Sequence, residues 1–174
     1  MTNQQAGAPP FTLILTRRCA APADAVYRVL ADPLSHLEWG GERQWRMFRL
    51  TSLDAPPGPL TVGTEFTSTG SVMFAYPSSD RNRVTVAEPG RTLEFVAENR
   101  YARRCEGTYV NRYDLTPDGE GCVVTFTFQR VRMVRAPLHM RGPFRLMMQR
   151  FGAPIMFGRG LDNLVREAEA VAVA

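Results

Sequence analysis

Lysine is absent from this chain, and all 21 basic residues are arginine. Genomic base composition explains that bias as readily as function does, so it carries no functional argument. Cysteine is scarce. Cys19, Cys105 and Cys122 are far apart, odd in number and form no CxxC pair. They read as small, partly buried thiols in a reducing cytoplasmic compartment rather than as a redox or metal site. Histidine is scarcer still, with only His36 and His139, so a zinc site built from His and Cys has little to draw on. No apolar run approaches the roughly 20 residues that span a bilayer, and no integral membrane segment is expected. Residues 1–10 have neither a basic n-region nor an apolar h-region, which argues against a signal peptide and for a flexible tail. No phosphate-binding loop, nucleophile elbow, HExxH motif or ordered Ser/His/Asp set occurs. Gly158-Arg159-Gly160 has no strand before it, so it is not a dinucleotide fingerprint. No metal or cofactor follows from the residues.

What is present is ordinary in bulk and patterned in detail. The 174 residues, 44% hydrophobic and 22% charged, fit one domain with a sizeable core, expected over residues 11–174. The net charge of +4 is modest. Arginine clusters at Arg17-Arg18, Arg103-Arg104 and Arg130-Arg132-Arg135 come with no recognition motif. A solvated surface explains them, and no nucleic-acid partner is expected.

The most informative stretch runs from Cys19 to Trp39. Phe11 to Cys19 reads as a strand. Pro22 and Asp24 then suit the first turn of a short helix, because Pro has φ preset and a carboxylate favours the positive end. Val26, Val29 and Leu30 fall at i, i+3 and i+4 and give that helix one apolar face. Asp32-Pro33 ends it, since the residue before Pro is pushed out of the α region. A second short segment is expected over Leu34 to Trp39.

Strand patterns follow at Gln44–Leu53, Thr64–Phe74, Arg81–Glu88 and Thr92–Tyr101. Breaks are expected at Ala55–Pro59, at Tyr76–Asp80 and at Pro89-Gly90. Val84 and Val86 are read onto one face. Gly107–Thr116 and Cys122–Val131 alternate most clearly, joined by the hairpin turn Asp118–Gly121. Short turns between consecutive strands imply an antiparallel meander with one dry face. From about Pro143 the period becomes helical, interrupted by Gly152, Pro154, Gly158 and Gly160. The order of elements predicts a curved sheet with a long C-terminal helix laid across its mouth, an α+β arrangement around a pocket.

Phe95, Tyr109, Tyr113, Val124, Phe126 and Phe128 are expected to point into that pocket, with Trp39 at its entrance. Asn111 shares the face of the two tyrosines and Asn99 that of Phe95. A polar group on such a face needs a partner, which can be water, a side chain or a ligand. From the helix, Met147, Met148, Phe151, Ile155 and Met156 are expected on the same lining, as ligand contacts or as core filler. His36 is placed near the entrance as a candidate acid or base, with an inert surface role open. An inward arginine, Arg130, is the second candidate, for proton transfer or anion stabilisation.

Several segments together resemble the START-related superfamily of polyketide cyclases, dehydratases and lipid-transport proteins. They are Ala21-Pro22-Ala23-Asp24-Ala25-Val26-Tyr27, Leu30-Ala31-Asp32-Pro33 with Trp39, Val62-Gly63-Thr64, Glu88 to Phe95, Tyr113 to Pro117 running on to Phe128, and Arg159 to Leu164. The resemblance spans about residues 11–172. It implies the helix-grip fold: seven antiparallel strands, two short helices and a long C-terminal helix over a hydrophobic cavity. It does not imply one activity. Two principal readings follow: a cofactor-free cyclase or dehydratase acting on a polyketide-like or aromatic molecule, and a non-catalytic carrier or sensor of a lipid-like ligand. An interaction module is the third. The partner expected is a hydrophobic small molecule, with a homodimer left open.

Overall fold

In β1 (Phe11–Cys19) half-buried and exposed residues alternate along the strand, the pattern of a strand with one dry face. The computed structural model describes residues 10–44, 48–72, 76–101, 105–134 and 142–173. The expected tail apart from Pro10, Trp45 of the strand expected over Gln44–Leu53, the strand end at Phe74, Arg103-Arg104, Arg135 and His139 lie outside the described residues, while Gln44 itself is described and is not part of a strand.

After β1, α1 (Ala23–Ala31) buries Val26, Val29 and Leu30 as the spacing predicted. Asp24 sits in its first turn and Asp32 ends it. A single turn, α2 (Ser35–Leu37), leads into a turn of π-helix over Glu38–Glu42 that buries Trp39. Six strands follow: β2 (Phe48–Asp54), β3 (Glu65–Val72), β4 (Tyr76–Glu88), β5 (Thr92–Tyr101), β6 (Cys105–Asp118) and β7 (Gly121–Val134). The chain then enters α3 (Gly142–Met147), a second π turn (Met148–Gly152) and the 21-residue α4 (Ala153–Val173).

The seven strands form one antiparallel sheet in the order β1-β7-β6-β5-β4-β3-β2. Consecutive strands from β2 to β7 are neighbours, and β1 closes on β7. The segment from α1 to the first π turn therefore has to travel from one edge of the sheet to the other before β2 can begin. It does so across the inner face. This is the helix-grip arrangement that the resemblance implied.

At one end of the inner face α4 docks on α1 and the sheet through Leu161, Leu164 and Ala168, against Val26, Leu30, Leu93 and Val124. Polar ties fix α4 in place. Arg17 pairs with Asp162 and Arg43 with Glu167. The buried Asn163 side-chain amide donates to the Trp39 and Arg43 carbonyls at 3.2 and 3.0 Å. Gly158 and Gly160 do not break α4. Both are buried, and a Cβ on Gly160 would lie 2.8 Å from the Gln44 side chain.

Three expectations are corrected. Tyr76–Asp80 is not a break but the first part of β4, paired with β3. Pro77 lies beyond Ser78–Tyr101, the last β4–β5 pair among the described residues, and pairs there with Ser71 of β3. Val84 and Val86 do not share a face. A bulge between them inserts Thr85 and puts the partly buried Ala87 on the core side with Val84. Pro154 does not interrupt a uniform α-helix in its middle. The π turn ends just before it, so the position that lacks an N–H falls where the helix changes its hydrogen-bonding pattern.

Candidate functional site

The strand registers define what the inner face presents, row by row. Nearest the α1–α4 core lies the row Leu15, Phe126, Tyr113 and Leu93. The next is Leu13, Phe128, Asn111, Phe95 and Val84. The third is Phe11, Arg130, Tyr109, Ala97, Asn82 and Phe66. The fourth is Met133, Gly107, Asn99, Asp80 and Ser68. Apolar character thus gives way to polar character from the core end outward.

α4 and the core fill the first end. The rest is a cavity of about 260 Å³ between the sheet, the Trp39 turn and the α3–α4 segment. Its inner part is aromatic. Tyr113 stacks on Phe95 and packs on Phe126, and Phe126 and Phe128 meet Phe157 of α4.

The structure brings most of the sequence-predicted residues to this cavity. His36, Trp39, Phe95 and Asn99 line it, as do Tyr109, Asn111 and Tyr113. Phe126, Phe128, Arg130 and Met148 line it too. Val124 is fully buried in the core instead. Phe151 and Ile155 are corrections: they are 61% and 55% exposed, and Met147 shares that outward stripe. The three are four residues apart. The cavity-facing stripe is the neighbouring one, through Arg145, Gln149, Ala153, Met156 and Gly160. Both stripes carry apolar residues, so helical spacing alone did not separate them.

Sequence reasoning missed the polar wall. Ser78, Asp80 and Asn82 alternate inward on β4, with Arg81 and Arg83 outward. Reading Tyr76–Asp80 as a break hid that alternation. The Asn99 side chain donates to Asp80 Oδ1 at 2.6 Å and to Ser78 Oγ at 2.8 Å. Asn82 donates to Ser68 Oγ at 3.2 Å and to the Asp80 carbonyl at 3.3 Å. Burial raises the Asp80 carboxyl pKa above its ordinary value, and the Asn99 hydrogen bond opposes that shift only in part. Asp80 is the one acidic side chain among the lining residues.

His36 has a different character from the one expected. It is buried, and its ring packs against Trp39 and Phe66. Its Nε2–H donates to the Leu30 carbonyl at 2.7 Å. Burial lowers its pKa, so the ring is neutral at neutral pH and one nitrogen is committed to holding α1. Trp39 is 8% exposed, and its Nε1–H has no acceptor among the described residues. An unpaired buried donor costs about 1–3 kcal/mol, so an oxygen-bearing guest gains there what a pure hydrocarbon does not.

Tyr109 is set by its neighbour two residues back. A Cβ on Gly107 would lie 2.7 Å from the Tyr109 hydroxyl and 2.9 Å from two ring carbons. The phenol therefore rests on a bare backbone. Gly107→Ala is expected to cost about 1–3 kcal/mol by overpacking. The same substitution in a Tyr109→Ala background is expected to cost far less, a difference that a urea-denaturation double-mutant cycle measures directly.

Residues 11–169 match the family described as polyketide cyclase / dehydrase and lipid transport. The chain belongs to that family. No curated protein sequence matches it. A protein of Chromobacterium violaceum is similar in structure, at 19% identity and a TM-score of 0.62, over 91% of this chain and 97% of that one. So is major latex-like protein 151 of Panax ginseng, at 12% identity and a TM-score of 0.63, over 95% and 99%. DynU16, from a dynemicin biosynthetic locus, aligns at 18% identity and a TM-score of 0.55, over 88% of this chain but 46% of its own. At these identities the likenesses show a shared fold. Among the described residues no helix of this family member is long and apolar enough to cross a membrane.

Proposed function

We propose that the protein binds an aromatic or polyketide-like molecule in its cavity and performs cyclase- or dehydratase-type proton transfer on it, with Asp80 as the proton-transfer group. The observation that carries this reading is a half-buried carboxylate, the sole acid of the cavity lining, set on its polar wall and facing the guest space with a neutral amide as its partner. A carboxyl whose pKa is raised is a stronger base than a solvated one, and a larger share of it carries the proton that an acid step needs near neutral pH.

In a dehydration, Asp80 takes the acidic C–H proton next to a carbonyl, and the carbon–hydrogen electrons form the new C=C bond. The β-hydroxyl leaves with its bonding electrons and takes the proton back from Asp80, which releases water. Charge gathers on the carbonyl oxygen during this step, and the Tyr109 hydroxyl is suited to donate to it. Phe95, Tyr113, Phe126 and Phe128 would hold the rings, with Trp39 and Asn111 contacting polar positions and Asn99 orienting Asp80. Met148 would cover the guest from the helix side. His36 serves here as a positioning residue, since its Nε2–H is already used.

The carrier reading draws on the same commitment of His36 and on the aromatic inner wall, which suit binding without turnover. Native mass spectrometry of protein purified from its own host identifies the guest. Incubation of that guest with excess wild-type protein then separates the readings. A product lighter by one water, or a cyclised isomer, supports the enzyme. A guest recovered unchanged leaves a carrier.

A further inference from the structure

Residues 121–161 contain seven arginines and no aspartate or glutamate. This stretch supplies β7, α3 and the first half of α4, so one whole side of the cavity is built without an acid. Two of those arginines, Arg130 on β7 and Arg145 on α3, line the cavity. Arg130 is only 4% exposed, and its guanidinium lies 5.7 Å from the centre of the Phe11 ring. Burial lowers its pKa, Tyr109 opposes that shift in part, and the nearby charge of Arg145 adds to it. Two like charges held near each other, one buried and one half-buried, are unfavourable unless something negative joins them.

One donor of this corner is orphaned. The Nε–H of Arg145 is buried with no acceptor among the described residues. Asp80, the sole acid of the wall, is bound by Asn99 and stands on β4. It is three strands away from β7, roughly 14 Å along the sheet. Tyr109 sits directly opposite Arg130 in the register and adds a hydroxyl to the same corner. The aromatic row of Phe128 and Phe95 begins immediately inward of this corner.

We infer that the ligand carries a compact anionic group, a carboxylate or an equivalent oxyanion, seated against Arg145 and Arg130 beside Tyr109, with its apolar body running inward over Phe128 towards Phe126. This rests on the proposed binding in the cavity and adds the ligand's chemical class. A guanidinium can meet a carboxylate through two parallel hydrogen bonds, and such charge-assisted contacts are about twice as strong as neutral ones. A guest of this kind neutralises the arginine corner and offers an acceptor to the orphaned Nε–H. A neutral guest of the same shape does neither.

The test uses the full chain and three fluorescent guests at pH 7: 2-naphthoate, its neutral counterpart 2-naphthamide, and the uncharged reporter N-phenyl-1-naphthylamine. The expected result is that 2-naphthoate binds about 10- to 100-fold more tightly than 2-naphthamide. Arg145→Gln and, separately, Arg130→Gln are expected to bring that ratio to within about threefold. Equal affinity of the wild-type protein for the matched pair, with the reporter bound, overturns the anion inference and leaves the cavity reading standing. Failure of all three guests to bind overturns both. The wild-type comparison alone decides the question, so a variant that fails to fold does not remove the test.

Discussion

Asp80→Asn is expected to make the folded protein more stable at neutral pH while abolishing its chemistry. The substitution keeps the shape of the side chain and an oxygen for Asn99 to donate to, so the 2.6 Å contact has a counterpart in the variant. It removes a charge that the cavity wall accommodates poorly. Burial raises the Asp80 carboxyl pKa in the folded state. The folded chain therefore binds that proton more tightly than the unfolded chain, whose aspartate titrates near 3.9. Between the unfolded value and the raised folded value the native state holds more protons, and stability falls as pH rises.

Above that window the wild-type protein carries the full penalty, and the amide variant carries none. The thermal midpoints of wild type and variant should thus diverge as pH rises above about 4 and converge again on acidification. Turnover of the co-purified guest should drop about 10²- to 10⁴-fold, the usual share of a general acid–base group. A variant that is more stable and inactive fits a site where function is held against stability. A variant with full turnover would remove Asp80 from the mechanism. A variant less stable than wild type at pH 7 would show that the ionised carboxyl is a favourable partner of Asn99 after all.

The second large effect concerns the grip itself. Leu164 is fully buried on α4, within the core shared with α1 and the inner sheet face. Leu164→Ala leaves a void where rigid strands on one side and a tied helix on the other limit collapse. The expected cost is about 3 kcal/mol, which for a chain of this size lowers the thermal midpoint by roughly 6–12 °C. Phe151→Ala on the same segment, whose ring is 61% exposed, should shift the midpoint little. Differential scanning calorimetry of the two variants checks both at once. Equal losses would mean that the exposed stripe of α3 and α4 is covered in solution.

The contrast between those two positions shows where sequence reading succeeded. β1, α1, β5 and the β6–β7 hairpin were legible because period-two or helical spacing coincided with strong terminators such as Pro33, Gly90 and Gly119. The inward set on β6 and β7 followed from the same alternation. β4 failed because Pro77, Ser78, Ser79 and Asp80 are turn formers by composition, and only pairing to β3 and β5 makes them strand. On the helix, Met147, Phe151 and Ile155 were as apolar as the true lining, and Arg145 and Gln149 looked like surface. A bulge at Thr85 caused the error of face at Val84 and Val86. An extra residue at Val131 turns Met133 rather than Arg132 inward, and no local signal marks it.

The sequence by itself determined the class of the protein, the order of its elements and the aromatic half of its cavity, because alternation and capping are local and written in adjacent residues. Only the tertiary structure decided the polar half. Asp80, Asn99, Arg130 and Arg145 come from four separate elements, and they share one hollow because sheet register and helix docking place them there. Burial then gives a surface-type carboxylate and two surface-type guanidinium groups a chemistry that their residue types alone do not specify.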